Sequence, residues 1–166
     1  DDGAGCIQSL EVLYLLKKLG ISPKRTIRCV FFMNEEMGLD GAKAYGRYAK
    51  NCDEKHIAAI ESDKGAFTPR GFTIQTKNKN IIKKIKTWLP YLKKARIEWV
   101  KRGGSGADIA QIKNAKALIA YVPDEQRYFD VHHSANDVFE SVNPRELELG
   151  SAAMTILAYL ISEEGL

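Results

Sequence analysis

The sequence has 166 residues, of which 45% are hydrophobic and 28% are charged, and its formal net charge is +4. This composition is typical of a globular domain with its own core, and it excludes a disordered, collagen-like or coiled-coil chain. The longest nearly uninterrupted apolar run, 152–161, is about half of the roughly 20 residues that cross a bilayer, so no membrane span is predicted. The mild positive charge gives little support for binding to nucleic acid. Because residue 1 is Asp and no leader pattern follows it, we expect the chain to be part of a longer protein.

The spacing of apolar residues predicts helices that alternate with strands. In chain order, the predicted elements are a helix over 5–19, a strand over 26–33, a helix over 39–50, strands over 56–61 and 72–76, a helix over 80–89, strands over 96–100 and 116–122, and a helix from Pro144 onward. Pro90 is expected to end the third helix, and Asn143 to cap the last one. This order indicates an α/β fold, a three-layer α/β/α sandwich with a mixed, mainly parallel sheet. No repeat or linker divides the chain, so one domain over 1–166 is expected.

Four groups of metal-competent side chains lie at the ends of predicted elements. They are Asp1-Asp2, Asn34-Glu35-Glu36, Glu61-Ser62-Asp63 and His132-His133. Ligands of open α/β sheets bind beyond the carboxyl ends of the strands, so Glu35, Glu36 and Asp63 are expected to face one crevice. Carboxylates packed so closely repel one another unless a divalent cation neutralises them. The sequence therefore predicts a metal site.

The donor types indicate which metal and which reaction. Carboxylates with imidazole suit zinc or a similar first-row ion, and Cys6, Cys29 and Cys52 are too scattered for a structural thiolate site. Their redox state stays open. Of two adjacent glutamates, one can bind the metal while the other takes a proton from the attacking water. This arrangement favours metal-assisted hydrolysis.

The same groups, in the same order, resemble the motifs of the di-zinc aminopeptidase and glutamate carboxypeptidase family. The resemblance rests on 1–5, 34–42, 61–63 and 132–137. Glu-Ser-Asp and the doubled histidine are most similar to the branch that contains plasma glutamate carboxypeptidase. The resemblance implies that the 166 residues form the C-terminal, larger part of one zinc-peptidase catalytic domain. It also implies two zinc ions, a peptide or dipeptide substrate and export from the cytoplasm.

Matched position by position, the resemblance implies a role for each residue of these motifs. Asp1 corresponds to the bridging aspartate, Glu35 to the general base, Glu36 to a ligand of one zinc, Asp63 to a ligand of the other, and His133 to the C-terminal histidine ligand. His132, Asp137 and Asp108 are expected beside the ligands or the substrate. The family's first ligand is a histidine in a His-x-Asp motif upstream of the bridging aspartate, and this chain does not contain that motif.

Three alternatives stay open at this point. The fold also occurs in family members that lack the catalytic zinc, so a non-catalytic binding domain is one alternative. Glutaminyl cyclisation, a single-zinc transferase reaction, is another. The lysines between 77 and 102 could form a nucleic-acid patch, but their alternation with apolar positions favours a solvated helix face. The sequence decides neither side-chain specificity, nor aminopeptidase against dipeptidase activity, nor oligomeric state.

Overall fold

The computed structural model describes residues 2–166, and Asp1 lies outside the described residues. The longer elements follow one another as α1 (Gly3–Lys18), α2 (Asp40–Asn51), β1 (Ala58–Glu61), β2 (Pro69–Gln75), α3 (Lys79–Thr87), α4 (Leu89–Leu92), β3 (Trp99–Arg102), β4 (Ala117–Pro123), α5 (Tyr128–Val131) and α6 (Pro144–Glu164). Short 3₁₀ turns cover Lys93–Ala95, Ile109–Gln111 and Phe139–Ser141. No helix in 2–166 is long and apolar enough to span a membrane.

The four strands form one mixed sheet in the order β1-β4-β2-β3. β1 runs parallel to β4, and β2 runs parallel to β3, while β2 and β4 are antiparallel. Helices flank this sheet, which confirms the predicted α/β class with a mixed, mainly parallel sheet.

Alternation along β4 shows how the sheet separates two apolar clusters. Ile119 and Tyr121 belong to the larger cluster, which α1, α3 and α6 complete. Leu118, which directly precedes Ile119 in the strand, belongs to a smaller cluster with Ala49 of α2. Successive side chains of a strand point to opposite faces, so one strand with apolar residues on both sides requires cover on both sides. The result is the predicted three-layer arrangement.

The last helix begins as the sequence predicts. The Asn143 side chain accepts hydrogen bonds from the backbone N–H groups of Arg145 and Glu146, and Pro144 occupies the first turn. Pro90 behaves differently from its prediction, because α3 already ends at Thr87 and Pro90 lies in the first turn of α4. A proline in the first turn lacks only an N–H that has no helical partner, so it is accommodated there.

The predicted strand over 26–33 is wrong. Residues 26–32 form neither a helix nor a sheet ladder, although their composition is strand-like. Exposure alternates at the start of this segment, with Ile27 and Cys29 half-buried and Thr26 and Arg28 exposed. A ladder requires a neighbouring strand within hydrogen-bonding distance, and none of the four described strands pairs with this segment.

Candidate active site

Six carboxylates surround one cavity of about 300 Å³ at the carboxyl end of β1. They are Asp2, Glu35, Glu36, Glu61, Asp63 and Asp108. Among the described residues that line this cavity, hereafter the acidic pocket, there is no Lys, Arg or His. The pocket therefore concentrates negative charge with no lining side chain to neutralise it, which is the electrostatic condition that attracts a cation.

Asp2 enters the pocket as the N-cap of α1. Its Oδ1 accepts a hydrogen bond of 2.9 Å from the backbone N–H of Gly5. Gly5 is required here, since a Cβ at this position would lie 2.1 Å from the carbonyl oxygen of Ser62. Burial raises the pKa of Asp2 to about 7, and the nearby charges of Asp63 and Glu61 act in the same direction. The close approach of α1 to the end of β1 thus places one more acidic group in the pocket.

A tight loop at 34–39 presents Glu35 and Glu36. Asn34 has a left-handed backbone with φ of 61°, and its Nδ2 donates to Asp40 Oδ2 at 2.6 Å. The N–H of Leu39, whose φ is 60°, donates to the carbonyl oxygen of Asn34 at 2.9 Å. Left-handed conformations at non-glycine residues cost about 1–3 kcal/mol each and concentrate at functional sites. This loop contains two of them next to the adjacent glutamates.

Glu61 is the last residue of β1 and Asp63 follows two positions later, and both have raised pKa values. Burial raises the pKa of Glu61 to about 7 and that of Asp63 to about 6. For Asp63, the charges of Glu35, Asp108 and Glu36 raise the pKa further. Burial, with the charge of Glu35, also raises the pKa of Asp108. Each of these groups tends to keep its proton until a positive charge compensates for desolvation and repulsion.

The two oxygens of the Glu61 carboxylate have different surroundings. Its Oε2 accepts the N–H of Ile109 at 2.8 Å, whereas its buried Oε1 has no hydrogen-bond partner among the described residues. Oδ1 of Asp108 is also buried, and it too has no hydrogen-bond partner among the described residues. Gly106, at φ +107°, leaves room for this carboxylate, because a Cβ there would lie 1.9 Å from Glu61 Oε1.

The two histidines reach this region from the loop that follows α5. Nε2 of His133 lies 3.1 Å from Oε1 of Glu36, across 97 positions of sequence. His133 has a left-handed backbone with φ of 53°. The ring of His132 stacks with that of Tyr128, at 4.5 Å between ring centroids, and with that of His133, at 3.9 Å. The fold therefore brings the C-terminal histidine to the second glutamate of the 34–39 loop.

The donor set suits a divalent cation, although its positions do not form a closed ligand group. Within 2–166, no three His, Cys, Asp or Glu side chains are arranged as a ready metal site. Two buried carboxylate oxygens there have no hydrogen-bond partner, and three carboxyl groups have pKa values of about 6 to 7. A divalent ion would satisfy such oxygens and lower these pKa values. The chemistry of the residues fits a metal.

The predicted site residues fall into three groups. Glu35, Glu36, Asp63 and Asp108 line the acidic pocket, and His133 and His132 join it through the contacts with Glu36 and with each other. Asp137 lies in the exposed turn after the histidines, where its N–H donates to the carbonyl oxygen of Ser134 at 3.1 Å. Asp1 lies outside the described residues. The metal and catalytic roles of these residues stay predictions.

Asp2 and Glu61 belong to the predicted metal-competent groups but received no role of their own, yet both line the pocket. Glu61 lies two positions before Asp63, and an extended backbone directs side chains two positions apart to the same side. This spacing is the signal that could have predicted Glu61 beside Asp63. The signal for Asp2 is its place directly before the first helix, where an N-cap carboxylate is preferred.

Comparison with known proteins gives a consistent family. Carboxypeptidase Q of Mus musculus is 34% identical over 98% of this chain, and those of Homo sapiens and Bos taurus are 33% and 31% identical over the same share. The chain spans about a third of the length of these relatives, 34–35%. A crystal structure of a peptidase M28 precursor from Shewanella amazonensis SB2B superposes with a TM-score of 0.89 at 27% identity, covering 98% of this chain and 37% of that one.

The sequence model of peptidase family M28 matches residues 1–159, a range that includes the acidic pocket and both histidines. The motifs at 34–42, 61–63 and 132–137 lie within this range, and the fold that presents them is that of the Shewanella peptidase. This chain therefore belongs to peptidase family M28.

Proposed function

We propose that the chain is the larger part of the catalytic domain of a zinc-dependent exopeptidase, of the aminopeptidase or dipeptidase type. The observation that carries this proposal is the acidic pocket, where six carboxylates surround one cavity and no basic side chain among the described residues lines it. Membership of a peptidase family and relatives named carboxypeptidase Q support a reaction at the end of a peptide.

In this proposal, Asp1, Glu36, Asp63 and His133 would hold two zinc ions, together with donors from beyond these residues. The contact between His133 and Glu36 supports the assignment of both residues as ligands. The raised pKa of Asp63, which burial and the charges of Glu35, Asp108 and Glu36 cause, supports a cation beside this carboxyl group. When bound, the zinc ions polarise the scissile carbonyl and lower the pKa of water.

Glu35 is the proposed general base. It adjoins a proposed ligand in the strained 34–39 loop, and its carboxylate faces the acidic pocket. It takes a proton from the attacking water and passes this proton to the nitrogen of the departing amine. Asp108 and Asp2 add to the acidic lining of the pocket, which favours a substrate with a positively charged α-amino group. Such a group is present at the end of a peptide and absent from its interior.

The test combines zinc content with hydrolysis of dipeptides and of aminoacyl reporters. It uses the 166-residue chain and a longer version that carries the upstream His-x-Asp motif of the family. In the longer version, we expect Glu35→Gln to keep its zinc and to lose at least a thousandfold in kcat/KM. Asp63→Asn is expected to lose zinc. Glu140→Gln serves as the matched control, because Glu140 is exposed and does not line the acidic pocket.

The possible results separate the alternatives. A Glu35→Gln variant that keeps its activity would refute the role of Glu35 as base, and unchanged zinc in Asp63→Asn would remove Asp63 from the ligands. If neither version binds zinc or hydrolyses a substrate, the result would favour a non-catalytic binding domain with this fold. Release of pyroglutamyl peptide from a substrate with N-terminal glutamine, without hydrolysis, would establish the cyclase alternative.

A further inference from the structure

A glutamine is buried in α1 beside the acidic pocket without lining it. Gln8 is fully buried, and it is not among the residues that line the pocket. The next residues on the same face of the helix, Val12 and Leu16, belong to the larger apolar cluster. Burial of an amide in such surroundings costs free energy unless hydrogen bonds replace those made with water. The contacts of this amide show what compensates for that cost.

The Gln8 side chain bonds to the residue that separates Glu61 from Asp63. The hydroxyl of Ser62, which is also buried, donates a hydrogen bond of 2.6 Å to Oε1 of Gln8. Nε2 of Gln8 is buried and has no hydrogen-bond partner among the described residues. The bond to Ser62 therefore joins α1 directly to the segment that presents two carboxylates of the pocket.

The same face of α1 also touches the backbone of Ser62. A Cβ at Gly5 would lie 2.1 Å from the carbonyl oxygen of Ser62, so the helix approaches this residue closely. Gln8 lies three positions after Gly5, and residues at this spacing are neighbours on a helix surface. Ser62 is thus held by α1 through its backbone and through its side chain.

The last helix, α6, lies against Gln8 at Gly150. A Cβ at Gly150 would lie 2.1 Å from Nε2 of Gln8 and 3.0 Å from the hydroxyl oxygen of Tyr121. A larger residue at this position would therefore displace the amide. Protein interiors are close-packed and transmit such displacements to their neighbours. The position of the amide, and with it the bond to Ser62, thus depends on α1 and α6 together.

We propose that Gln8 is a positioning residue for the metal centre, and that its hydrogen bond with Ser62 fixes Asp63 relative to the start of α1. This inference rests on the proposed function, in which Asp63 and Asp1, the residue before the N-cap Asp2, are zinc ligands. These ligands belong to different parts of the chain, and the bond between Gln8 and Ser62 joins those parts. Metal ligands must be held to within about 0.5 Å of the productive geometry.

The test compares zinc affinity with the stability of the metal-free protein, in the longer version that carries the upstream His-x-Asp motif. Gln8→Met keeps a side chain of similar length and removes the acceptor of the Ser62 hydrogen bond. We expect its zinc affinity, measured by competition with a chelator, to fall by about tenfold or more, as for other residues that orient metal ligands. The visible absorption of the cobalt-loaded variant should change as well, since this spectrum reports ligand geometry.

A second variant separates positioning from a purely structural role. Ser62→Ala is expected to lose zinc affinity to the same extent, and Gln8→Met/Ser62→Ala to lose no more than either single variant, because both act through one contact. Replacing both hydrogen-bonding partners by apolar groups is nearly neutral for stability. In urea unfolding of the metal-free protein, the double variant should therefore equal wild type although its zinc affinity stays low. A purely structural role would restore stability and zinc affinity together.

Thr155→Val is the matched control. The Thr155 hydroxyl is also buried and hydrogen-bonded, to the carbonyl oxygen of Ser151, but Thr155 does not line the acidic pocket. This variant should keep wild-type zinc affinity. Unchanged zinc affinity in Gln8→Met or Ser62→Ala, or recovered affinity in the double variant, would overturn the positioning role and leave the proposed function intact. A wild-type protein that binds no zinc would overturn the proposed function and this inference with it.

Discussion

Neutralising Asp2 is expected to stabilise the metal-free protein above neutral pH. Asp→Asn keeps the side-chain oxygen that accepts from Gly5, and Asn is as good an N-cap as Asp. It removes a buried negative charge from a pocket that contains five other carboxylates. A rise in pKa from 3.8 to about 7 corresponds to about 4 kcal/mol between the two protonation states. Asp2 is half-buried, so water screens its charge in part. We therefore expect Asp2→Asn to raise the free energy of unfolding by about 2–4 kcal/mol.

The sign of this effect depends on pH. Between about pH 4 and pH 7 the folded protein holds a proton on Asp2 that the unfolded chain has released, so wild-type stability falls as the pH rises through this window. The gain of Asp2→Asn is therefore nearly absent at pH 4, grows through the window and stays constant above it. Glu61 and Asp63 add slopes of the same sign, because their pKa values are raised as well.

The assay is urea unfolding in EDTA at pH 4, 6 and 8, followed by tryptophan fluorescence and by circular dichroism. Equal m-values for wild type and variant are required, so that a change in midpoint reports a change in stability. Asp53→Asn is the matched control, since Asp53 is exposed and lies outside the pocket. An Asp2→Asn variant that equals wild type at pH 8, or that gains as much at pH 4 as at pH 8, would refute the reasoning.

Three further changes test the local geometry. Gly106→Ala should destabilise the fold by about 2 kcal/mol in thermal unfolding, because its Cβ meets Glu61 and its φ is +107°; an unchanged Tm would contradict this contact. Asn143→Ala should cost about 1 kcal/mol through loss of the α6 cap, whereas Asn143→Asp should recover most of it. Phe72→Ala should cost about 3–5 kcal/mol, since Phe72 is fully buried beside Tyr121; a loss below 1 kcal/mol would mean that the core closes over the cavity.

The local sequence determined the elements whose formation needs no distant partner. Asn143 and Pro144 predict the start of α6 because capping involves only the next three residues. The apolar spacing of α1 predicts that helix to within two residues of its observed bounds. The motifs also singled out Glu35, Glu36 and Asp63, which line the acidic pocket, since residue type and position at an element end are readable from the chain alone.

Only the tertiary structure decided how these parts meet. Whether 26–33 is a strand depends on a partner strand, and no described strand supplies one. The entry of Asp2 and Glu61 into the acidic pocket depends on the packing of α1 and Gly106 against the end of β1. The contact of Glu36 with His133 joins positions 97 residues apart. Sequence periodicity reports which face of an element is buried, but the neighbour that buries it, and the desolvation that raises a pKa there, arise only when distant segments pack together.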